Sequence, residues 1–280
     1  WTRLYRERPV VRALVETHSA SSCVTDSAAA ASAWGIGERV TNGVLNILPD
    51  GKELPTLLQK LSGAGKRTGL VTTATITHAT PAGFAATVRS RGEEPVIAGQ
   101  YLDRGVHVLL GGGTKHFSDE LRRKYSAAGY GFPSDRKALR SHDAGNGKPL
   151  LGLFSDGHMP YEIDRLNDPK LNAKTPTLAE MSAAALRNLE RSPEGFFLLI
   201  EGARIDHAGH ANDAAASIHD QLAFDDAVGV ALDFLDRHPD TLVVVTTDHG
   251  CGGIQMNGVK SNPDEKFGPG RYAGSNAFFD

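Results

Sequence analysis

Short apolar runs, several of them β-branched, recur along this chain, and stretches of helical character separate them. The runs are Thr68–Thr73 (TGLVTT), Val106–Leu110 (VHVLL), Leu150–Phe154 (LLGLF), Phe196–Ile200 (FFLLI) and Leu242–Thr246 (LVVVT). Runs this short and this apolar read as buried strands. Helical signals fall between them: Leu54–Leu61, a segment opened by Pro81 and reaching about Arg91, Asp119–Ala128, Thr177–Arg191, and Ala211–Arg237. In the last of these, Ile218, Leu222, Val228, Leu232 and Leu235 keep a helical spacing. Strand–helix alternation restricts the fold to the α/β class, with a mostly parallel central sheet covered by helices on both faces. Ser134–Lys148 and Tyr161–Thr175 are polar and read as surface excursions, and residues 252–280 are rich in Gly, Asn and Pro.

Composition narrows the function classes. The chain has 280 residues, 40% hydrophobic and 22% charged, enough to enclose a sizeable core. Its formal net charge of −3 offers no basic excess for nucleic acid. No apolar run approaches the roughly 18 residues that span a bilayer. Cys23 and Cys251 are the only cysteines. Two thiols make no disulfide framework, and they read as separate, partly buried groups.

In α/β sheets, sites form beyond the carboxyl ends of the strands. The chemically suggestive residues cluster there. Thr77-His78-Ala79-Thr80-Pro81 follows the first run. Glu201-Gly202-Ala203-Arg204-Ile205-Asp206-His207-Ala208-Gly209-His210 follows FFLLI, and Thr246-Thr247-Asp248-His249-Gly250 follows LVVVT. Asp206 and His210 are four apart, so a helix there puts both on one face, able to hold one ion. Asp248 and His249 are adjacent, so only a bend lets them serve one ion. Thr80 and Glu201 offer oxygen, as magnesium prefers. Taken singly, these clusters have plain readings: a solvated helix start, a polar loop, a helix cap.

A further stretch organises the rest. In Val24-Thr25-Asp26-Ser27 followed by Ala28–Trp34, Thr25 or Asp26 can cap an Ala-rich helix. Ser27 then lies in the first turn, where free N–H groups favour negative charge. Alone, Asp-Ser before alanines is ordinary capping.

Together, VTDSAAAASAW, THATPAGFAATVRSR, LLGGGTKHF, LLGLFSDGHMP, TPTLAEM, GFFLLIEGARIDHAGH and VVVTTDHG resemble the alkaline phosphatases, in the family's order. The resemblance implies that Ser27 is the transiently phosphorylated nucleophile, that Arg91 grips the phosphate and that Asp26 orients that arginine. It implies two zinc ions and one magnesium ion. Asp206 and His210 match ligands of one zinc. Asp248 and His249 match ligands of the other, which also touches Ser27. Thr80 and Glu201 match magnesium ligands. His78 and His207 stand around the magnesium, where animal-type members often carry histidines, and His78 reaches it through water.

The implied reaction is hydrolysis of phosphate monoesters through phosphoserine, with broad specificity and release of inorganic phosphate. The implied setting is a homodimer that is periplasmic, secreted or at the cell surface, with membrane anchoring left to segments outside this chain. The alternatives are a related diesterase or sulfatase, or a non-catalytic piece of an alkaline phosphatase. No Asp precedes Asp26 and no His follows His249. The resemblance calls for both as ligands. Residues 1–280 are therefore expected to form a single domain incomplete at both ends, lacking the first strand and the C-terminal part.

Overall fold

The computed structural model describes residues 8–142 and 147–253. Four strands form one parallel sheet in the order β3-β2-β1-β4: β1 (Arg67–Thr75), β2 (Val108–Gly112), β3 (Leu150–Leu153) and β4 (Phe196–Glu201). Register pairs Leu70 with Leu109 on one side and with Leu199 on the other.

The helices in chain order are α1 (Ser27–Ile36), α2 (Leu57–Gly63), α3 (Ala79–Ala85), α4 (Glu94–Asp103), α5 (Asp119–Ala127) and α6 (Arg136–Ser141). They continue with α7 (Glu162–Asn167), α8 (Pro169–Lys174), α9 (Leu178–Leu189), α10 (Arg204–His210) and α11 (Ala214–Arg237). Capping boxes start two of them: Thr56 with Gln59 at α2, and Thr177 with Glu180 at α9. Each satisfies two N–H groups that a helix start leaves free. No helix among the described residues is long and apolar enough to cross a membrane.

The strands divide their side chains between two cores with the period of two that a pleated strand imposes. Leu70, Leu109, Leu151, Phe197 and Leu199 pack with Ala28 of α1, Leu58 of α2, Phe84 of α3, Ile97 of α4 and Tyr125 of α5. Their neighbours Val71, Val108, Leu110, Leu150 and Leu198 face the opposite way, against Leu139 of α6, Met181 and Leu189 of α9, and Ala227 of α11. Both faces of the sheet are thus covered, as the apolar strands require.

Several expectations are corrected. Leu242–Thr246 is not a strand. It makes no ladder bonds among the described residues, and Leu242 and Val244 stand 85% and 65% exposed. β-propensity is realised only beside a partner, and β4 pairs with β1 alone among the described strands. The helix after Thr77 ends at Ala85, well short of Arg91. The two supposed surface excursions hold α6, α7 and α8. Arg165 of α7 is buried, bonded to both carboxylate oxygens of Glu162 at 2.8 and 2.6 Å and to Asn172 Oδ1 at 2.6 Å. Of the thiols, Cys251 is half-buried but Cys23 is exposed.

Candidate active site

Helix α1 delivers the serine. Asp26 caps it, its Oδ1 accepting the Ala29 N–H at 3.0 Å. That leaves Oδ2 to accept the Gly43 N–H at 3.0 Å and an Arg91 N–H at 3.1 Å. One carboxylate therefore fixes the helix start, the neighbouring turn and the guanidinium. Ser27 is buried, and its Oγ lies 3.0 Å from His249 Nε2.

The alanines of α1 serve packing as well as propensity. A Cβ on Gly35 would fall 1.9 Å from Gly83 O, and one on Gly83 would fall 2.5 Å from Ala31 Cβ. Only small residues allow α1 and α3 to approach so closely, and α3 carries Thr80 beside His78. Asn46 locks the pair from the side, donating to Gly83 O and Ala86 O at 2.7 and 2.6 Å.

A group of carboxylates and imidazoles adjoins the serine. Glu201 ends β4, its Oε2 accepting from Thr72 Oγ1 at 2.6 Å. Burial pushes its carboxyl up to about 7. The Thr72 and Thr80 hydroxyls oppose that shift, while Asp248 and Asp206 add to it. Asp206 and His210 share one face of α10, with Oδ2 and Nε2 3.6 Å apart. Asp248 and His249 lie in a bend, as their adjacency demands, with Oδ2 and Nε2 3.3 Å apart. Asp206 Oδ1 is buried with no hydrogen-bond partner. Converging carboxylates, one raised toward neutrality and one with a bare oxygen, form a donor set suited to cations.

His78 and His207 converge too, and a third histidine, His158, joins them. One ring nitrogen from each lies within 4.8 Å of the others. All three are held neutral. Burial, then Arg91 and the other two histidines, lowers His78 to about 3. Burial, then His158 and Arg204, lowers His207 to about 4. Burial and then Arg204 lowers His158. Each ring accepts a hydrogen bond on its outer side: His78 Nε2 from Arg91 at 3.1 Å, His158 Nδ1 from the Thr75 N–H at 3.1 Å, and His207 Nδ1 from Arg204 at 2.8 Å. Sequence reasoning did not single out His158. Its signal was its place in SDGH just past β3, where the other clusters also follow strand ends. Glu94 was missed as well, although its Oε2 accepts from both Thr75 and Thr77 hydroxyls at 2.6 Å.

The anticipated residues are linked by contacts: Arg91 to Asp26 and His78, Ser27 to His249, Asp206 to His210, Asp248 to His249 and His78 to His207, while Thr80, Asp206 and Asp248 act on the Glu201 carboxyl. Fold and chemistry define a class, an α/β protein in which a serine at a capped helix start and an arginine meet an array of carboxylates and imidazoles. The alkaline phosphatase family model matches residues 3–277. Alkaline phosphatase 3 of Bacillus subtilis is 40% identical over 243 residues, covering 83% of this chain and 50% of that protein. Alkaline phosphatase of Escherichia coli K12 is 37% identical over 272 residues, covering 81% and 58%. The crystal structure of Thermus thermophilus alkaline phosphatase superposes with a TM-score of 0.79 at 42% identity, covering 85% of this chain and 50% of that one. The chain belongs to the alkaline phosphatase family. It spans about half the length of the Bacillus subtilis and Thermus thermophilus relatives.

Proposed function

We propose that this protein hydrolyses phosphate monoesters by way of a phosphoserine at Ser27, with divalent cations bound to the surrounding donors. The observation that carries the reading is the pairing of Ser27 Oγ with His249 Nε2 at 3.0 Å, at the N-terminus of α1 and beside Arg91. Ser27 Oγ attacks phosphorus in line with the departing alkoxy oxygen. The O–P bond to serine forms as the bond to the leaving group breaks; the Ser27 hydroxyl proton passes to solvent, and the leaving oxygen takes a proton from solvent. Water then forms a new O–P bond as the Ser27 Oγ–P bond breaks, a water proton is returned to Ser27 Oγ, and inorganic phosphate departs. Arg91 presents planar N–H donors to the non-bridging oxygens, with Asp26 and His78 fixing its plane. The first-turn N–H groups of α1 favour the same negative charge.

Three donor groups suit cations. Asp206 with His210, and Asp248 with His249 and Ser27, mix carboxylate oxygen and imidazole nitrogen as zinc prefers. Thr80 and Glu201 offer oxygen alone, which suits magnesium. The bare Asp206 Oδ1 and the raised Glu201 carboxyl support occupancy by positive charge. Bound there, such cations would lower the pKa of the attacking hydroxyl and stabilise charge on the leaving oxygen.

Hydrolysis of an aryl phosphate, a bis-aryl phosphate and an aryl sulfate, with zinc and magnesium present, tests the reading. The monoester should be strongly preferred. Arg91→Ala should slow it more than the diester, which carries one fewer charge for the guanidinium. Preference for diester or sulfate, or equal losses on both phosphates, would overturn the assignment.

A further inference from the structure

Arg204 opens α10 and is half-buried, yet it forms no ion pair with a carboxylate among the described residues. Its guanidinium lies 3.6 Å over the Tyr161 ring, and its side chain makes one hydrogen bond, to His207 Nδ1 at 2.8 Å. The Arg204 Nε is buried with no partner. Its backbone N–H is tied to Thr73 Oγ1 of β1 at 3.1 Å. Setting a guanidinium against a ring and a neutral nitrogen is costly. An arginine that served stability alone would meet a carboxylate, whereas Asp220 and Asp164 act on Arg204 only from a distance. The bond it does make fixes a proton. A guanidinium can only donate, so His207 Nδ1 holds the lone pair and the ring proton sits on Nε2. That Nε2 has no acceptor among the described residues. The ring adjoins the candidate phosphate clamp: its centroid is 5.4 Å from that of His78, whose Nε2 accepts from Arg91 at 3.1 Å.

We infer that Arg204 is a positioning residue: seated on Tyr161, it holds His207 in the tautomer whose Nε2–H donates to an oxygen of the bound phosphoryl group, directly or through one water. The inference rests on the proposed function and gives Arg204 a part in it. An imidazole without such a partner exchanges its proton between the two nitrogens. With the lone pair on Nε2, the ring would repel a negative oxygen and could bind a cation instead. Arg204 forecloses both. Tyr161 keeps the guanidinium in place by cation–π attraction without competing for its N–H groups. His158 obtains the same tautomer from a backbone donor, the Thr75 N–H at 3.1 Å. Of these two rings, His207 is therefore the one whose proton a side-chain substitution can move.

The test reads the tautomer directly. In the protein supplied with zinc and magnesium and carrying isotopically labelled histidine, long-range proton–nitrogen correlation spectra distinguish a protonated ring nitrogen from a bare one. His207→Gln assigns the His207 signals by their loss. In the parent, Nε2 should carry the proton. Arg204→Met, which keeps the packing on Tyr161 but no donor, should let the proton exchange between both nitrogens, and Arg204→Lys should restore the parent pattern. With an aryl phosphate, kcat/KM should fall about 10-fold in Arg204→Met, chiefly through KM, and recover in Arg204→Lys, with metal content unchanged in both. In a His207→Gln background, Arg204→Met should cost nothing further. A proton on Nδ1 in the parent overturns the inference even where no variant folds. So does an unmoved tautomer in Arg204→Met, or an equal kinetic loss in the two backgrounds. Absence of aryl phosphate turnover in a parent whose Nε2 is protonated would overturn the phosphatase reading and leave the pairing of Arg204 with His207 standing.

Discussion

Asp26 Oδ2 accepts a hydrogen bond from Arg91 at 3.1 Å while Asp26 Oδ1 caps α1 at the Ala29 N–H, so one carboxylate joins the helix start to the candidate phosphate clamp. The two duties separate by substitution. Asp26→Asn keeps an oxygen for the cap but removes the charge that holds the guanidinium. Asp26→Ala removes both. Loss of a cap costs about 1 kcal/mol. Asp26→Ala should therefore lower thermal stability by that order, and Asp26→Asn by much less. Both should raise KM for an aryl phosphate and weaken inhibition by inorganic phosphate. Thermal melts beside steady-state kinetics check this, and equal stability losses would show that the cap is not what Asp26 supplies.

Close packing of α1 on α3 gives a second prediction. Gly35→Ala places a methyl group 1.9 Å from a backbone oxygen, where nothing flexible can yield. Overpacking of this kind costs about 1–3 kcal/mol. Gly99→Ala, inside α4 with nothing within 4 Å of the new Cβ, should instead stabilise by about 0.5–1 kcal/mol. Denaturant midpoints of the two variants should move in opposite directions. Since Ser27 rides on α1, Gly35→Ala should also depress turnover, whereas Gly99→Ala should not.

Much of this framework was legible in the sequence. The four strands stand out because each is a short apolar run between helical periods, and their alternate side chains do face two cores. Asp206 and His210 could be paired because four residues make one helical turn, and α10 realises it. Other features depend on contacts that local pattern does not encode. LVVVT has strand composition but gains no ladder partner among the described residues. Helices α7 and α8 are short segments whose polarity resembles loop, and they are held by the buried Arg165, whose partners Glu162 and Asn172 lie on separate helices. His158 reaches the site only because β3 ends where it does. It has no periodic signature.

Asp220 offers a pH-dependent prediction away from the site. It is buried on α11, and its Oδ2 accepts the Glu162 N–H at 3.1 Å. Burial, partly opposed by that hydrogen bond and by Arg204, raises its carboxyl from 3.8 to about 6. A raised acid is harder to ionise when folded. Its contribution to stability is full below about 3.8 and is lost as pH rises through about 6. A tenfold change in an acid's ionisation constant corresponds to about 1.4 kcal/mol between its two protonation states. Asp220→Asn keeps an oxygen acceptor and does not ionise. Its stability relative to the parent should therefore rise between pH 4 and pH 7, by roughly 1–3 kcal/mol. Urea melts at both ends of that range check the sign, and a flat or falling difference would remove the role given to burial.

Removal of the divalent cations should abolish aryl phosphate hydrolysis while leaving the two cores folded, since both form without groups from the site edge. Turnover should return when zinc and magnesium are added together, and only in part with either alone. Full activity in excess chelator would contradict the cation-dependent reading.

The most direct test of the central claim is the site of phosphorylation. The active protein, incubated with an aryl phosphate and quenched in acid, is digested and its phosphopeptides are sequenced by mass spectrometry. The account predicts a single phosphoserine at Ser27, absent from Ser27→Ala, which keeps its metal content but loses turnover. Phosphate on any other residue, or turnover that persists in Ser27→Ala, would contradict it.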